Sequence, residues 1–475
     1  MTISRRDVLQ LMFLAGGGAA LAACGGGSSS SGSSSPGSSG GGQTPRDPVD
    51  GGDPAPQPPA LARELPLRAG PLSNIGPLVD SGVDGVLIPE GFSLRRVATA
   101  GRQPVSKLPL FLWHPLPDGG AVFSQADGGW VYVSNSESVP GGVGALRFGA
   151  DGELLDAYPI LSNTRVNCAG GATPWGTWLS CEEVEDGLVY QCDPLGSPRQ
   201  AQSHPALGRF KHEAAAVDMA TSSVFMTEDQ GDGRLYRFRS AGRVSAVNGA
   251  PGLDLDNGVL QVLEVEGFEN GAYMEDLESA RLIRRVKWVD VQSPDQPQSR
   301  VRSRIEDSTG QGAPGTRFKG GEGIWMQYWP EGEQDTVSGF EHPLRAVVFF
   351  ACKGDNRVHA LDVDNDLIEV VFDNEQLISA GEDRFDDVDN LVVSPMGDVV
   401  VAEDGDAMRL MVMVPNQPAK ILLRVPGGGS ELTGPAFTAD GSRLYFSSQR
   451  GPAGLLGLPL GRTYELTVPA AFRAL

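Results

Sequence analysis

The stretch NCAGGATPWGTWLSCEE, residues 167–183, joins a glycine-rich loop to a short apolar strand that ends in two adjacent carboxylates, Glu182 and Glu183. The strand is predicted at residues 177–180, and the thiol of Cys168 lies at the head of the loop. Glycine and proline let a backbone bend tightly around a bound group. A thiol and carboxylates beside such a loop indicate a metal site. A wide surface loop with a buried cysteine and two solvated acids is the alternative.

Strands of the same kind recur along the chain, each ending in polar or acidic residues. The six runs are WVYVSNSE (130–137), TWLSCEE (177–183), SVFMTED (223–229), VVFFACKGD (347–355), VVVAEDG (399–405) and RLYFSSQ (443–449). Their spacing is about 45 to 52 residues, apart from one interval of about 123, which suits four-stranded blades and one insertion. The pattern predicts an all-β, six-bladed β-propeller at residues 61–475, with an insertion at about 249–330.

Composition supports the all-β prediction and limits the partners. The chain of 475 residues contains 63 glycines and 35 prolines, which favours many turns. A net charge of -22 argues against binding to nucleic acid or anionic membranes, and it is compatible with bound cations. An acidic, solubilising surface explains most of that charge. The five cysteines show no zinc-finger spacing, and a disulfide between Cys181 and Cys192 is left open.

The N-terminus has the features of an export signal rather than of a folded element. Arg5 and Arg6 precede a short apolar run at residues 8–14, which is typical of a twin-arginine signal. The sequence Leu-Ala-Ala before Cys24 is that of a lipobox, and a chance cysteine after an ordinary cleavage site is the alternative. Residues 1–24 are therefore predicted to be the signal and residues 25–60 a flexible tether. We expect twin-arginine export to the periplasm or outer membrane, with membrane contact only through the lipid anchor.

Polar strand ends of a propeller converge on its central axis, so they are the candidate ligands. They are Asn135, Glu137, Cys168, Glu182, Glu183, Glu213, Glu228, Asp229, Glu322, Asp389, Asn390, Glu403 and Asp404. Oxygen ligands favour hard cations such as Ca²⁺, and one thiolate among them allows iron. Because successive residues of a strand point to opposite faces, only one of Glu182 and Glu183 is expected to face the axis.

Two cations, Arg209 and Lys211, suit an anionic substrate held over the metal ions. Cations around an oxyanion, with metal ions beside it, form an arrangement for phosphoryl transfer. Outside the predicted tether the sequence contains no GxSxG, and it contains no HExxH or Walker motif, so the corresponding hydrolases and NTPases have no support.

Over roughly residues 75–455 the chain resembles the PhoX-type alkaline phosphatases. The resemblance is carried by NCAGGATPWGTWLSCEE, GRFKHEAAAVD, TEDQGDGRLYRF, FKGGEGIWM, DNLVVSPMGD and ELTGPAFTADG. It implies a six-bladed propeller with a cluster of Fe³⁺ and Ca²⁺ ions bridged by an oxo group. It also implies hydrolysis of small phosphomonoesters at alkaline pH outside the cytoplasm, and we expect a monomer.

The resemblance also implies roles for individual residues. It implies iron ligation by Cys168, Glu213 and Glu322. It implies further metal ligation, to calcium, by Glu137, Glu182, Asp229 and Glu403. It implies contacts on the phosphate side by Asn135 and Thr173.

The chain departs from the family at two places, which is typical of a divergent and shorter branch. Gly320 and Gly321 stand where better-known members carry Arg-Pro before the glutamate equivalent to Glu322, and Ser136 stands where a histidine is usual. Two other classes of protein remain as alternatives. One is a calcium-bearing propeller lactonase or dehydrogenase, which would not need Cys168. The other is a non-catalytic lipoprotein propeller whose metal ions are structural.

Overall fold

Antiparallel strands build almost all of the described structure, which confirms the predicted all-β class. The computed structural model of the chain describes residues 69–274, 283–309, 312–329, 342–373, 387–414, 418–427, 429–451 and 460–473. These residues belong to one compact unit, Pro59–Leu475. The predicted export signal, Cys24 and the tether lie outside the described residues. None of the helices described is long and apolar enough to cross a membrane.

The chain begins with three strands and continues into two four-stranded sheets. The first three are β1 (Leu78–Asp80), β2 (Leu87–Pro89) and β3 (Ser93–Thr99). The first sheet contains β4 (Pro117–Ser124), β5 (Trp130–Ser136), β6 (Gly141–Phe148) and β7 (Leu154–Thr164). The second contains β8 (Asn167–Ala172), β9 (Trp178–Glu182), β10 (Val189–Cys192) and β11 (Gln202–Ser203). Consecutive strands are neighbours in both sheets, so each is a simple meander.

A nine-stranded sheet occupies the middle of the chain. Its first strands are β12 (His212–Asp218), β13 (Ser223–Glu228) and β14 (Leu235–Ser240), followed by a separate hairpin of β15 (Arg243–Ser245) and β16 (Pro251–Leu253). It continues with β17 (Gly258–Val265) and β18 (Arg284–Asp290), which precede helix α1 (Gln298–Thr309). Its last strands are β19 (Gly321–Tyr328), β20 (Ala346–Cys352), β21 (Arg357–Asp362) and β22 (Leu367–Asp373).

Strand β18 joins two four-stranded runs within this sheet, because it pairs with β17 on one side and β22 on the other. One run is β12-β13-β14-β17 and the other is β19-β20-β21-β22. The segment 249–330, predicted as an insertion, contains β16 to β19 and α1. Strands β17, β18 and β19 of that segment are therefore part of the sheet itself.

The C-terminal third forms two more sheets, and both take up strands from the beginning of the unit. One contains β23 (Val388–Val393), β24 (Val399–Glu403), β25 (Arg409–Val412) and β26 (Lys420–Arg424), extended by β2 and β1. The other contains β27 (Leu432–Phe437), β28 (Arg443–Ser448) and β29 (Arg462–Thr467), completed by β3. The pairing of β29 with β3 joins the two ends of the unit in one sheet.

Six strands, the first of each four-stranded run, form a closed ring. They are β4, β8, β12, β19, β23 and β27; each contacts the next, and β27 contacts β4. Apolar side chains fill the space between neighbouring sheets, as where Val133 of β5 and Trp178 of β9 lie in one buried cluster. Sheets that radiate from such a ring form a propeller-like arrangement, as the sequence predicted.

Each strand of the ring carries a β-bulge, where two of its residues face one residue of the second strand. The bulge begins at Gly434 in β27, and in the other five strands at Asp118, Cys168, Glu213, Glu322 and Asp389. In β19 the second bulged residue is Gly323, where a Cβ would lie 2.5 Å from the backbone nitrogen of Leu391 in β23. Glycine there permits the close approach of the two strands. Bulges re-aim side chains, and these bring five potential ligands to one end of the ring.

Candidate metal centre

Among the described residues, nine side chains gather at the end of the ring where its strands begin. They form four groups of three, in each of which the ligand atoms lie within 4.8 Å of one another. The groups are Glu137–Cys168–Glu183, Asp118–Glu137–Glu431, Glu213–Glu322–Asp389 and Asp389–Asp404–Glu431. Glu137, Asp389 and Glu431 each belong to two groups, so the groups are linked. We call these nine residues the acidic centre.

Burial sets the electrostatics of the acidic centre. Asp118, Glu213 and Glu322 are each 1% exposed. Burial and the nearby charges of Glu322 and Asp389 raise the pKa of Glu213 well above its ordinary value. Burial likewise raises the pKa of Asp118, with further contributions from Glu137 and Asp389. So many buried acids in contact require either protons or bound cations to compensate their charge.

The thiol of Cys168 also holds a proton that a bound cation could replace. Its Sγ donates to Oε1 of Glu213 over 3.3 Å. Burial, followed by the charges of Asp118 and Glu213, raises the pKa of the Cys168 thiol well above its ordinary value. A thiolate is the form that binds metal, so Cys168 becomes a ligand only when a cation replaces its proton.

The donor set fits a cluster of cations. Oε1 of Glu322 is buried without a hydrogen bond, although the ammonium of Lys353 lies 3.3 Å away. Three of the four groups offer only carboxylate oxygens, which suit hard cations such as Ca²⁺. The fourth adds the sulfur of Cys168, and a thiolate among carboxylates suits a transition metal such as iron.

Three cationic side chains border the acidic centre. Nζ of Lys353 lies 3.1 Å from Oδ2 of Asp404 and 3.4 Å from Oδ2 of Asp389. Although burial opposes it, the charges of Asp389, Glu322 and Asp404 raise the pKa of the Lys353 ammonium well above its ordinary value. Arg450 binds Glu431 over 2.8 Å, and Nζ of Lys211 lies 3.8 Å from Glu183.

The predicted ligand Glu182 lies outside these groups, and its neighbour Glu183 takes its place. Oε1 of Glu182 accepts the backbone N–H of Arg165 over 2.9 Å, and Oε2 accepts that of Leu188 over 3.2 Å. Successive residues of a strand point to opposite faces, and Glu182 is the one that points away from the ring.

Glu403 also lies outside these groups, whereas its neighbour Asp404 belongs to one of them. Both of its oxygens bind Arg409: Oε2 accepts from Nε over 2.7 Å, and Oε1 accepts from a terminal nitrogen over 2.6 Å. Both side chains are buried, so this carboxylate is neutralised by the chain itself.

Asn135 and Thr173, predicted as phosphate contacts, are engaged within the protein. Oδ1 of Asn135 accepts from Nε1 of Trp178 over 2.9 Å, while its amide donates to the carbonyl of Ala169 over 2.7 Å. Oγ1 of Thr173 lies 2.8 Å from Oγ1 of Thr177 and accepts the backbone N–H of that residue over 2.9 Å. Both side chains therefore hold the loop around β8 and β9 in shape.

Two other predicted residues, Asp229 and Arg209, are not among the nine side chains of the acidic centre. Asp229 stands beside Gly320, where a Cβ would come 2.9 Å from its Oδ1, and its charge acts on Glu322. The backbone of Arg209 forms an isolated β-bridge with that of Pro297. Within the described residues, no ion pair joins Arg209 to the nine side chains of the centre.

Sequence reasoning missed Asp118, Lys353, Glu431 and Arg450. Asp118 lies at the bulge of β4, outside every motif that was singled out, and Lys353 lies in the run 347–355 but was not chosen as a candidate. The repeated signal is an acid or thiol in that bulge, found in β4, β8, β12, β19 and β23. The four described cysteines are free, so the disulfide left open is not formed.

Comparisons with known proteins agree with the geometry. Residues 141–336, which include Cys168, Glu213 and Glu322, match the family model of the alkaline phosphatase PhoX. This confirms the resemblance predicted from the motifs. A search of the curated proteins gives no significant match. The structure of Pseudomonas fluorescens PhoX in complex with vanadate is similar, with 16% identity and a TM-score of 0.60 over 84% of this chain and 98% of that one. A gluconolactonase from Xanthomonas campestris has 14% identity and a TM-score of 0.39 over 83% and 98%.

Proposed function

We propose that this PhoX-like chain is a metal-dependent phosphatase that hydrolyses small phosphomonoesters. The observation that carries the proposal is the acidic centre, in which Cys168 and eight carboxylates meet at one end of the ring. The family match of residues 141–336 supports the phosphatase chemistry. The shared fold of Pseudomonas fluorescens PhoX, solved in complex with vanadate, a transition state analogue, is consistent with it.

We assign Fe³⁺ to the side of the centre that contains Cys168, Glu213 and Glu322, and Ca²⁺ to the carboxylate group Asp118–Glu137–Glu431. Clustered cations supply Lewis-acid stabilisation of the charge that develops on a transferring phosphoryl group. The protein itself holds the ligands in place. Gln449 donates from its amide to Oδ2 of Asp118 over 2.7 Å and to Oε2 of Glu137 over 2.6 Å, which fixes two carboxylates from different strands.

The cations of the chain complete the site on the substrate side. With Gly320 and Gly321 in front of Glu322, an arginine at that position is not available to bind phosphate. Arg450, after β28, and Lys211, before β12, border the centre, and their side chains are 29% and 33% exposed. They are placed to attract and orient a phosphate dianion, for which guanidinium and ammonium groups are suited.

The proposal also includes the number of blades, the export route and the cellular location of the enzyme. We count the nine-stranded sheet as two blades joined by β18, which makes six blades around the ring. The domain begins after a twin-arginine signal, a lipid-modified Cys24 and a tether, and it acts as a monomer in the periplasm or at the outer membrane.

Metal analysis beside an activity assay tests the proposal. Folded wild type, Cys168→Ala and the control Cys192→Ala are examined by inductively coupled plasma mass spectrometry and by hydrolysis of p-nitrophenyl phosphate with Ca²⁺ present. Cys192 is also buried, but it lies in an apolar cluster on β10. We expect iron and calcium in wild type and in Cys192→Ala, and loss of iron and hydrolysis in Cys168→Ala.

Two results would contradict the proposal. Calcium without iron and without hydrolysis in wild type would favour a lactonase, a dehydrogenase or a propeller with structural ions. Full activity in Cys168→Ala would show that the thiol is not required at the site.

A further inference from the structure

The position that directly follows the second strand of each run holds an acid in four cases. Glu137 follows β5, Glu183 follows β9, Asp229 follows β13 and Asp404 follows β24. After β20 the same position holds Lys353. After β28 it holds Gln449. A positive charge therefore stands at a position that holds a negative charge in four of the six runs.

The ammonium of Lys353 lies among three carboxylates that belong to two sheets. Its Nζ is 3.1 Å from Asp404, 3.3 Å from Glu322 and 3.4 Å from Asp389. The similar distances show that it is shared by the three rather than paired with one. Three oxygen-bearing side chains around one point are also the beginning of a site for a divalent cation.

The backbone fixes Lys353 in this place. Its N–H donates to the carbonyl of Gly320 over 2.9 Å, and Gly354 donates to that of Lys319 over 2.9 Å. Gly320 has a φ of 62°, in the left-handed region that favours glycine. The glycine before the β19 bulge thus shapes the turn that carries the ammonium to the centre.

Charge is distributed unevenly across the acidic centre as a result. In the group Asp389–Asp404–Glu431, Lys353 contacts the two aspartates and Arg450 binds Glu431. Two cations of the chain therefore face three carboxylates. In the group Glu137–Cys168–Glu183, the described ion pair is that of Lys211 with Glu183, at the longer distance of 3.8 Å.

We propose that the Lys353 ammonium is a built-in cation that takes the place of a divalent ion between Asp389, Asp404 and Glu322. This inference rests on the proposed function only in that the centre binds metal. The bound ions then lie on the side of Cys168, and the group Asp389–Asp404–Glu431 is held together by the chain. The chain thus binds one divalent ion fewer than its carboxylates could hold.

Counting bound Ca²⁺ in variants of the full-length protein tests the inference. Wild type, Lys353→Ala, Lys353→Arg and the control Lys287→Ala are dialysed against CaCl₂, desalted and analysed for calcium per chain. Lys287 pairs with the buried Glu264 over 3.0 Å, outside the centre, so the control also removes a lysine from a buried acid. We expect Lys353→Ala to bind about one additional Ca²⁺ per chain, with the others equal to wild type.

A second variant, Lys353→Gln, keeps the inference testable if Lys353→Ala does not fold. Lys353→Gln keeps a hydrogen-bond donor and most of the stem but removes the charge, and it should gain the same ion. Its melting temperature should also rise more on addition of Ca²⁺ than that of wild type, since an ion bound only by the folded state stabilises it. An unchanged calcium count in the neutral variants would overturn the inference while the phosphatase proposal stands. Wild type that binds no metal would instead contradict the proposed function.

Discussion

Three pairs of adjacent acids at the ends of second strands show how one strand position changes the role of a carboxylate. The pairs are Glu182–Glu183, Glu228–Asp229 and Glu403–Asp404. In each pair the first acid accepts the backbone N–H of the residue six positions later, which is Leu188, Arg234 or Arg409. The second acid lies in the acidic centre or at its edge. We call the first the loop-closing acid and the second the centre acid.

The two kinds of acid differ in what compensates their charge. The loop-closing acid is satisfied by the chain: Glu228 binds Arg302 through both oxygens, at 2.9 and 3.0 Å, and Glu403 binds Arg409. The centre acids Glu183 and Asp404 instead lie against other acids or a thiol. A loop-closing acid therefore serves stability. Of the centre acids, Glu183 serves the binding of cations from outside, whereas Asp404 is in contact with the ammonium of Lys353.

The largest effect is expected from Glu403→Ala. It leaves the guanidinium of Arg409, which is 1% exposed, without its carboxylate in the interior. Removing one partner of a buried ion pair costs about 3–5 kcal/mol of unfolding free energy. Urea unfolding of the metal-free protein measures it, with Asp404→Ala as the matched control. A loss of stability in the control as large as that in Glu403→Ala would contradict the division of roles.

A smaller change is expected from Glu183→Gln, and in metal affinity rather than in stability. The amide removes a charged ligand from the group with Glu137 and Cys168. We expect affinity for the metal ions to fall at least about tenfold, or about 1.4 kcal/mol. Stability of the metal-free protein should not fall, because a repulsive charge is lost. Competition with a chelator measures the affinity, and retention of wild-type affinity would exclude Glu183 as a ligand.

The repeat in the sequence was sufficient to predict the strands and the polar ends of the sheets. Cys168, Glu213, Glu322 and Glu137, selected from motifs, lie together in the structure because each occupies a bulge or follows a second strand. In the pairs at Glu182 and Glu403 the sequence selected the first acid, whereas the structure groups the second acid with other potential ligands. The residue types alone do not show which acid of a pair faces the centre. That depends on the direction of each Cα–Cβ bond, which is set by the register of the strand.

The remaining members of the centre depend on contacts far apart in sequence. Asp118 and Glu431 come together because β4 and β27 are neighbours in the closed ring, although they lie near opposite ends of the unit. Lys353 enters the centre through a turn whose shape depends on Gly320. The closure of the ring has no local sequence pattern. The position of Lys353 at the end of the run 347–355 could be read from the sequence, but its contacts with Asp389 and Asp404 could not.

The pH dependence of stability offers a further comparison, between metal-free wild type and Glu213→Gln. Burial and like charges raise the pKa of Glu213 in the folded state above its unfolded value of about 4.3. Above that value the folded protein binds more protons than the unfolded chain, so this carboxyl makes wild type less stable as pH rises. We expect the stability difference in favour of Glu213→Gln to grow with pH above about 4.3 and then to level off.

Urea midpoints at several pH values, with EDTA present, measure this difference. Comparison at equal pH cancels the opposing contribution of buried histidines such as His212, whose pKa burial lowers to about 3. In Ca²⁺ the dependence should disappear, because bound ions replace the protons. A difference that shrinks as pH rises would show that the acids of the centre are already compensated without metal.

The smallest effect is expected from Glu182→Gln, which separates the two acids of the first pair most directly. The amide keeps one oxygen to accept an N–H, but its NH₂ group faces the other backbone donor and the guanidinium of Arg165, 3.5 Å from Oε2. Loss of one such hydrogen bond at a half-exposed arginine costs about 0.5–1.5 kcal/mol. Calcium and iron contents should remain those of wild type, since neither oxygen faces the centre. Loss of metal from this variant, with stability unchanged, would return Glu182 to the ligand set and reverse the assignment for its pair.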